Sequence, residues 1–141
     1  MDQDTLVIFK LDAGRRLIDS LIERGLDIRA AFWAKPSEER WRLFLACPAV
    51  DEKGSRFVYG FINPALRAAP EWGIDFFDVS VIGVEDSMAQ AAAAHVAPML
   101  ARDAKPFGGA VPYEDFRLGR RYVEGAYIYP LGQRPGVAGP A

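Results

Sequence analysis

The sequence predicts an α+β fold: a largely antiparallel sheet of about five strands with about three helices, in the order α-β-β-α-β-α-β-β. Three observations lead there. Two neighbouring segments alternate with period two across the polar break "KPSEE". Three other segments carry apolar residues at helical spacing. A second hairpin pattern precedes a Gly/Pro-rich tail.

The first helix carries Leu17, Ile18, Leu21 and Ile22 on one stripe among Arg15, Arg16, Asp19, Glu23 and Arg24, and Gly25 suits its end. Leu6, Phe9 and Ala13 continue the stripe, which favours one helix from Asp4; a short strand over "TLVIF" is the alternative for residues 4–10.

The hairpin comes next. In "IRAAFWA", Ile28, Ala30, Phe32 and Ala34 share one side, and Arg29, Ala31, Trp33 and Lys35 the other. In "RWRLFLAC", Trp41, Leu43, Leu45 and Cys47 oppose Arg40, Arg42, Phe44 and Ala46. Pro36 and Ser37 supply the turn. The core is expected where Trp41, Leu43 and Leu45 meet Ile28, Ala30 and Phe32. Arg29, Trp33, Lys35, Arg40, Arg42 and Phe44 then share the opposite face.

"DEKGS" reads as a turn, with Ser55 capping a helix that carries Phe57, Val58, Phe61 and Ile62 and that Pro64 ends or kinks. "GIDFFDVSVIG" is rich in β-branched and aromatic residues and reads as a strand. "EDSMAQAAAAHVAPMLARDA" reads as a helix starting near Asp86 or Ser87, with Pro98 perturbing its last turns. "KPFGGAVP" is a loop, and "YEDFRLGRRYVEGAYIYPL" a hairpin turning at Leu118-Gly119. Residues 1–131 thus form one expected α+β domain, with 132–141 as a C-terminal tail.

Bulk properties narrow the function classes. A chain of 141 residues, 50% apolar and 26% charged, is globular in composition. Its net charge of −2 argues against a broad basic surface for nucleic acid. One cysteine, Cys47, excludes an internal disulfide and a cysteine-based zinc site. The start "MDQDTLVIFKLD" lacks the basic region of a signal peptide, and "TLVIF" is far too short to span a membrane. A cytoplasmic protein with no membrane association is the expectation. Abundant arginine and alanine fit a bacterial source of high coding GC content.

Catalytic resources are sparse. His95 is the only histidine, so no histidine cluster can bind a metal, and no serine sits in a G-x-S-x-G elbow. Cys47 points with Trp41 and Leu45 towards the expected core, as an inert apolar residue. Asp75 and Asp78, three apart on a strand, would face opposite sides; Asp86 reads as an N-cap, and Asp51 and Glu52 as turn residues. No glycine loop matches a P-loop or dinucleotide fingerprint. Neither cofactor nor metal nor catalytic residue is expected.

Binding chemistry is better represented. Arg29, Trp33, Arg40 and Arg42 form a cation–aromatic face, on which Trp33 beside Arg42 could stack. Tyr127 and Tyr129 in "AYIYPL" would be interface anchors if exposed and ordinary sheet residues if buried. The first functional reading is a non-enzymatic interaction or regulatory module, binding a protein partner or self-associating as a homodimer through a sheet face. The second is a small nucleic-acid or nucleotide binder using the Arg/Trp face. The third is an enzyme of unfamiliar type using carboxylates and arginines, whose signature would be an enclosed pocket with a perturbed carboxylate.

The pattern "AAFW…WRLFLACP…DEKG…Y" with the closing "AYIYPL" resembles a group of small, uncharacterised bacterial proteins over residues 12 to 131. That resemblance implies a bacterial single-domain protein and carries no activity, cofactor or site residue.

Overall fold

The computed structural model describes residues 3–36, 39–99 and 111–129 of the chain. Helix α1 (Gln3–Glu23) is followed by strands β1 (Ala30–Pro36) and β2 (Arg42–Ala46), then helices α2 (Pro48–Lys53) and α3 (Ser55–Ala68). Two 3₁₀ turns at Pro70–Trp72 and Phe76–Asp78 lead into β3 (Val79–Ile82). Helix α4 (Ser87–Met99) and the hairpin β4 (Val111–Leu118) and β5 (Arg121–Tyr129) complete the order. The class is α+β.

The five strands form one mixed sheet in the order β3-β2-β1-β5-β4. Strand β3 runs parallel to β2, and every other neighbouring pair is antiparallel. A parallel neighbour cannot be reached through a tight turn, and α2, α3 and the 3₁₀ turns provide the crossover.

Both faces of the sheet are covered. On one, Ala31, Trp33, Leu43, Leu45, Val79 and Tyr129 pack under Leu11, Leu17, Ile18 and Leu21 of α1 and Val58, Ile62 and Ala65 of α3. On the other, Phe32, Ala34, Phe44, Ala46, Val123, Ala126 and Ile128 pack under Met88, Ala89 and Ala92 of α4. The alanines on both sides of this second layer keep the surfaces flat and let helix and sheet approach closely. Phe32 and Phe44 stack in it, centroids 5.3 Å apart and planes 11° apart.

Several expectations are corrected. Trp33 pairs with Leu43, and Phe32 with Phe44, so the expected matching of hairpin faces is out by one residue. Alternation distinguishes inside from outside only when one face is wet, and here both are dry. The expected turn "DEKGS" contains the second half of α2, started by Pro48 at its first position, so the α-helices number four among the described residues, not three. Gly54, not Ser55, is the N-cap of α3, and α3 runs through Pro64 to Ala68. Only Val79–Ile82 of the expected strand "GIDFFDVSVIG" is strand. Its first part closes into a 3₁₀ turn because Asp75 and Asp78 form a reciprocal capping box. The second hairpin turns at Gly119 and Arg120, with Gly119 at φ 68°. The tail at 132–141 and the side chain of His95 lie outside the described residues.

Candidate functional site

The expected binding face does not assemble. Trp33 has no exposed surface. Its Nε1–H donates to Tyr129 Oη at 3.1 Å, and the Tyr129 hydroxyl donates in turn to the Leu11 carbonyl at 2.6 Å. Residue 14 of α1 must be glycine for this chain to form: a Cβ there would stand 2.5 Å from Tyr129 Oη and 2.7 Å from Trp33 Nε1. Burial pushes the Tyr129 phenol up, against a smaller opposing effect of the Trp33 hydrogen bond. These two aromatic residues lock α1 onto the sheet and offer nothing to a ligand. Tyr127, half-buried opposite Trp33, lies against Trp41 with centroids 5.6 Å apart.

Arg29 is separated from the other two arginines as well. Arg29 forks onto Asp27 through Nε and Nη2 at 2.9–3.1 Å, just before β1. Arg42 lies opposite Ala34, about 16 Å further along the hairpin. There its Nη1 is 3.5 Å from Ser80 Oγ. Arg40, more than half exposed, donates to Asp78.

Asp78 is the buried charged residue among those described, 5% exposed. Its carboxylate also receives Lys10 Nζ at 3.1 Å and the Asp75 backbone N–H at 2.9 Å. A carboxylate in this position needs such partners, because an unpaired buried charge is costly. The cations arrive from α1 and from the β1–β2 connection, so Asp78 ties three chain segments together beneath the start of β3.

Directly over this tie stands an aromatic ridge. Phe77 is 64% exposed and Phe76 39% exposed, with ring centroids 5.3 Å apart in an edge-to-face arrangement. Tyr59 of α3 lies against Phe76, ring centroids 5.0 Å apart and planes tilted by 52°, and donates its hydroxyl to the Val79 carbonyl at 3.0 Å. The capping box causes the exposure: by winding Phe76–Asp78 into a tight turn, it buries the aspartate and turns the phenylalanines out. The ridge borders β3, the last strand on its side of the sheet. A shallow open depression of about 250 Å³, lined by Asn63, Leu66, Arg67, Ile74, Asp75 and Phe76, flanks it.

A second aromatic pair, Phe57 and Phe61, lies on α3 with Lys53 Nζ 4.7 Å above the Phe57 ring. A second depression of about 250 Å³ opens between α1 and Trp72, lined by Asp12, Ala13, Arg16 and Glu71.

The chain matches no family, no curated protein and no solved structure.

Cys47 is fully buried, and burial, reinforced by the charge of Asp27, pushes its thiol up to about 12. It is protonated and unreactive at neutral pH. Among the described residues, no group of three or more His, Cys, Asp or Glu side chains could hold a metal ion. Among them, too, no helix is long and apolar enough to cross a membrane.

The ridge was missed in the sequence because Phe76 and Phe77 read as strand residues. The signal that could have found it is the Asp-x-x-Asp spacing of a capping box, which predicts a turn in the same place.

Proposed function

We propose that this protein is a protein-binding module whose contact surface is the ridge of Tyr59, Phe76 and Phe77 beside the open edge of β3. One observation carries the reading: Phe77 is nearly two-thirds exposed, at the border of a sheet whose two faces are otherwise covered. Covering the exposed part of such a ring contributes about 1–2 kcal/mol. Paired aromatic residues next to an unpaired strand supply both an anchor and a hydrogen-bonding rail, the combination used in strand-addition interfaces. The reading keeps the interaction class expected from the composition and moves its surface from the hairpin to the other end of the crossover.

Photo-crosslinking tests it. Benzoylphenylalanine at position 77, irradiated in cells that make the protein, should give one discrete adduct. The same residue at position 122, exposed on β5, serves as the control. Adducts that are absent at 77, or equally abundant at both positions, would refute the assignment of the ridge.

A further inference from the structure

We infer that the occupant of the β3 edge is a second copy of this chain, related by a two-fold axis that sets one β3 antiparallel to the other. The inference rests on the ridge being a protein-contact surface and names its partner.

The backbone leaves β3 open to pairing at Val81. Strand β2 bonds β3 through Ser80 and Ile82, whose positions opposite Phe44 and Ala46 place their backbone groups towards it; the Cys47 N–H donates to the Ile82 carbonyl at 3.0 Å. Successive residues of a strand present their N–H and C=O to opposite sides, so those of Val79 and Val81 point outward. The hydroxyl of Tyr59 meets the Val79 carbonyl there. Val81 directs its N–H and C=O away from the sheet, with no hydrogen bond from a described residue.

The two edges of the sheet are not equivalent. Strand β4 contains Pro112, Glu114, Asp115 and Arg117, the residue types that discourage strand addition. Strand β3 reads Val-Ser-Val-Ile, without charge or proline.

Charge then selects the partner and its direction. At the N-terminal end of β3 stand Arg40, bonded to Asp78, and Arg42, beside Ser80. At its C-terminal end stand the exposed Glu85 and Asp86, with Asp51 accepting the Val84 N–H at 3.0 Å. At the first end Lys10, Arg40 and Arg42 outnumber the carboxylates of Asp75 and Asp78, so the edge is net basic there and acidic at the other end. Two copies in antiparallel register set each basic end beside the other's acidic end; a parallel arrangement opposes like charges. Such self-complementarity is what an isologous interface requires. Pairing centred on Val81 brings Phe77 to the level of residues 84 and 85 of the second copy, where Val84 gives it an apolar neighbour. The contact is short, so its dissociation constant should be on the order of 1–100 µM.

Sedimentation velocity over a wide concentration range reads the result. The wild type should move from 15.6 kDa towards twice that mass, and more weakly in high salt. Val81→Pro removes an N–H that β2 does not use, so the fold, followed by circular dichroism, survives while the dimer is lost. Glu85→Arg at an exposed site should raise the dissociation constant at least roughly tenfold, and Arg42→Glu in the same chain should restore much of it. This reversal keeps the test decisive if Val81→Pro fails to fold. A dimer indifferent to both changes overturns the inference. So does a wild type that stays monomeric at the highest concentration. If that monomer still crosslinks a different protein through position 77, only the second copy is refuted; if it crosslinks nothing, the protein-binding reading falls with it.

Discussion

Gly14→Ala should destabilise this protein, although alanine is the better helix former. In an exposed helix the exchange stabilises by up to about 1 kcal/mol. At position 14 the new methyl would meet Tyr129 Oη at 2.5 Å and Trp33 Nε1 at 2.7 Å, both on fully buried side chains. Neither ring can move without breaking the Trp33–Tyr129 bond or the Tyr129–Leu11 bond. Overpacking costs about 1–3 kcal/mol and each lost hydrogen bond about 1 kcal/mol more, less the propensity gain of about 1 kcal/mol. The net loss is about 1–4 kcal/mol, or roughly 3–14 °C in Tm for a chain of this size. Gly60→Ala is the matched control: position 60 lies within α3, and a Cβ there meets nothing within 4 Å. Urea unfolding followed by circular dichroism should show Gly14→Ala less stable, and Gly60→Ala equal to or more stable, than the wild type. If Gly14→Ala matched Gly60→Ala, the packing of α1 against the Trp33–Tyr129 pair would be wrong.

The same node and its neighbours carry further expectations. Tyr129→Phe deletes one hydroxyl and strands the buried Trp33 N–H, while the Leu11 carbonyl, inside α1, keeps its helical bond and loses only its second donor. It should cost about 1–3 kcal/mol in urea unfolding, and a loss below about 0.5 kcal/mol would contradict the bond pattern. Asp78→Ala leaves Lys10 and Arg40 facing each other without a counter-charge and frees the Asp75 N–H, for a loss of about 2–3 kcal/mol. Asp78→Asn keeps an acceptor for that N–H and should cost visibly less; equal losses would mean that the charge alone matters. The Cys47 thiol, raised from 9.0 to about 12, favours the folded state fully below pH 9.0 and loses that contribution as pH rises towards 12. The stability slope between pH 9 and 10, below the ordinary tyrosine value of 10.0, should therefore flatten in Cys47→Ala, by up to about 1.4 kcal/mol per pH unit. An unchanged slope would place the thiol in water.

What could be read from the sequence follows from how each signal arises. The stripe Leu17, Ile18, Leu21 and Ile22 marks α1 because one face of that helix is wet, with Arg16, Asp19 and Glu23 on it. The hairpin and the Asp86 cap were equally plain: the Asp86 carboxylate accepts the Met88 N–H at 2.8 Å. The register of the hairpin was not legible, because Ala31 and Trp33 on one face of β1 and Ala30, Phe32 and Ala34 on the other are all buried. That slip carried Trp33 from the core to the surface and created the expected Arg/Trp face. Gly14 left a trace that was available, since a glycine inside a strong helical stripe signals a close approach. Asp78 left less, because its cations come from 68 and 38 residues away and no local pattern encodes them. The placement of β3 beside β2 depends on the crossover through α2 and α3, and a four-residue strand carries too little periodicity to specify a partner.

Amide exchange at Val81 tests the edge contact most directly. The Ser80 N–H faces β2 and should exchange slowly at any protein concentration. The Val81 N–H faces outward, so its protection reports only whether something pairs with β3. The self-paired edge predicts that Val81 exchanges rapidly in dilute protein and becomes protected, approaching Ser80, as concentration rises. Rapid exchange of Val81 at every concentration, in wild type and Glu85→Arg alike, would contradict it.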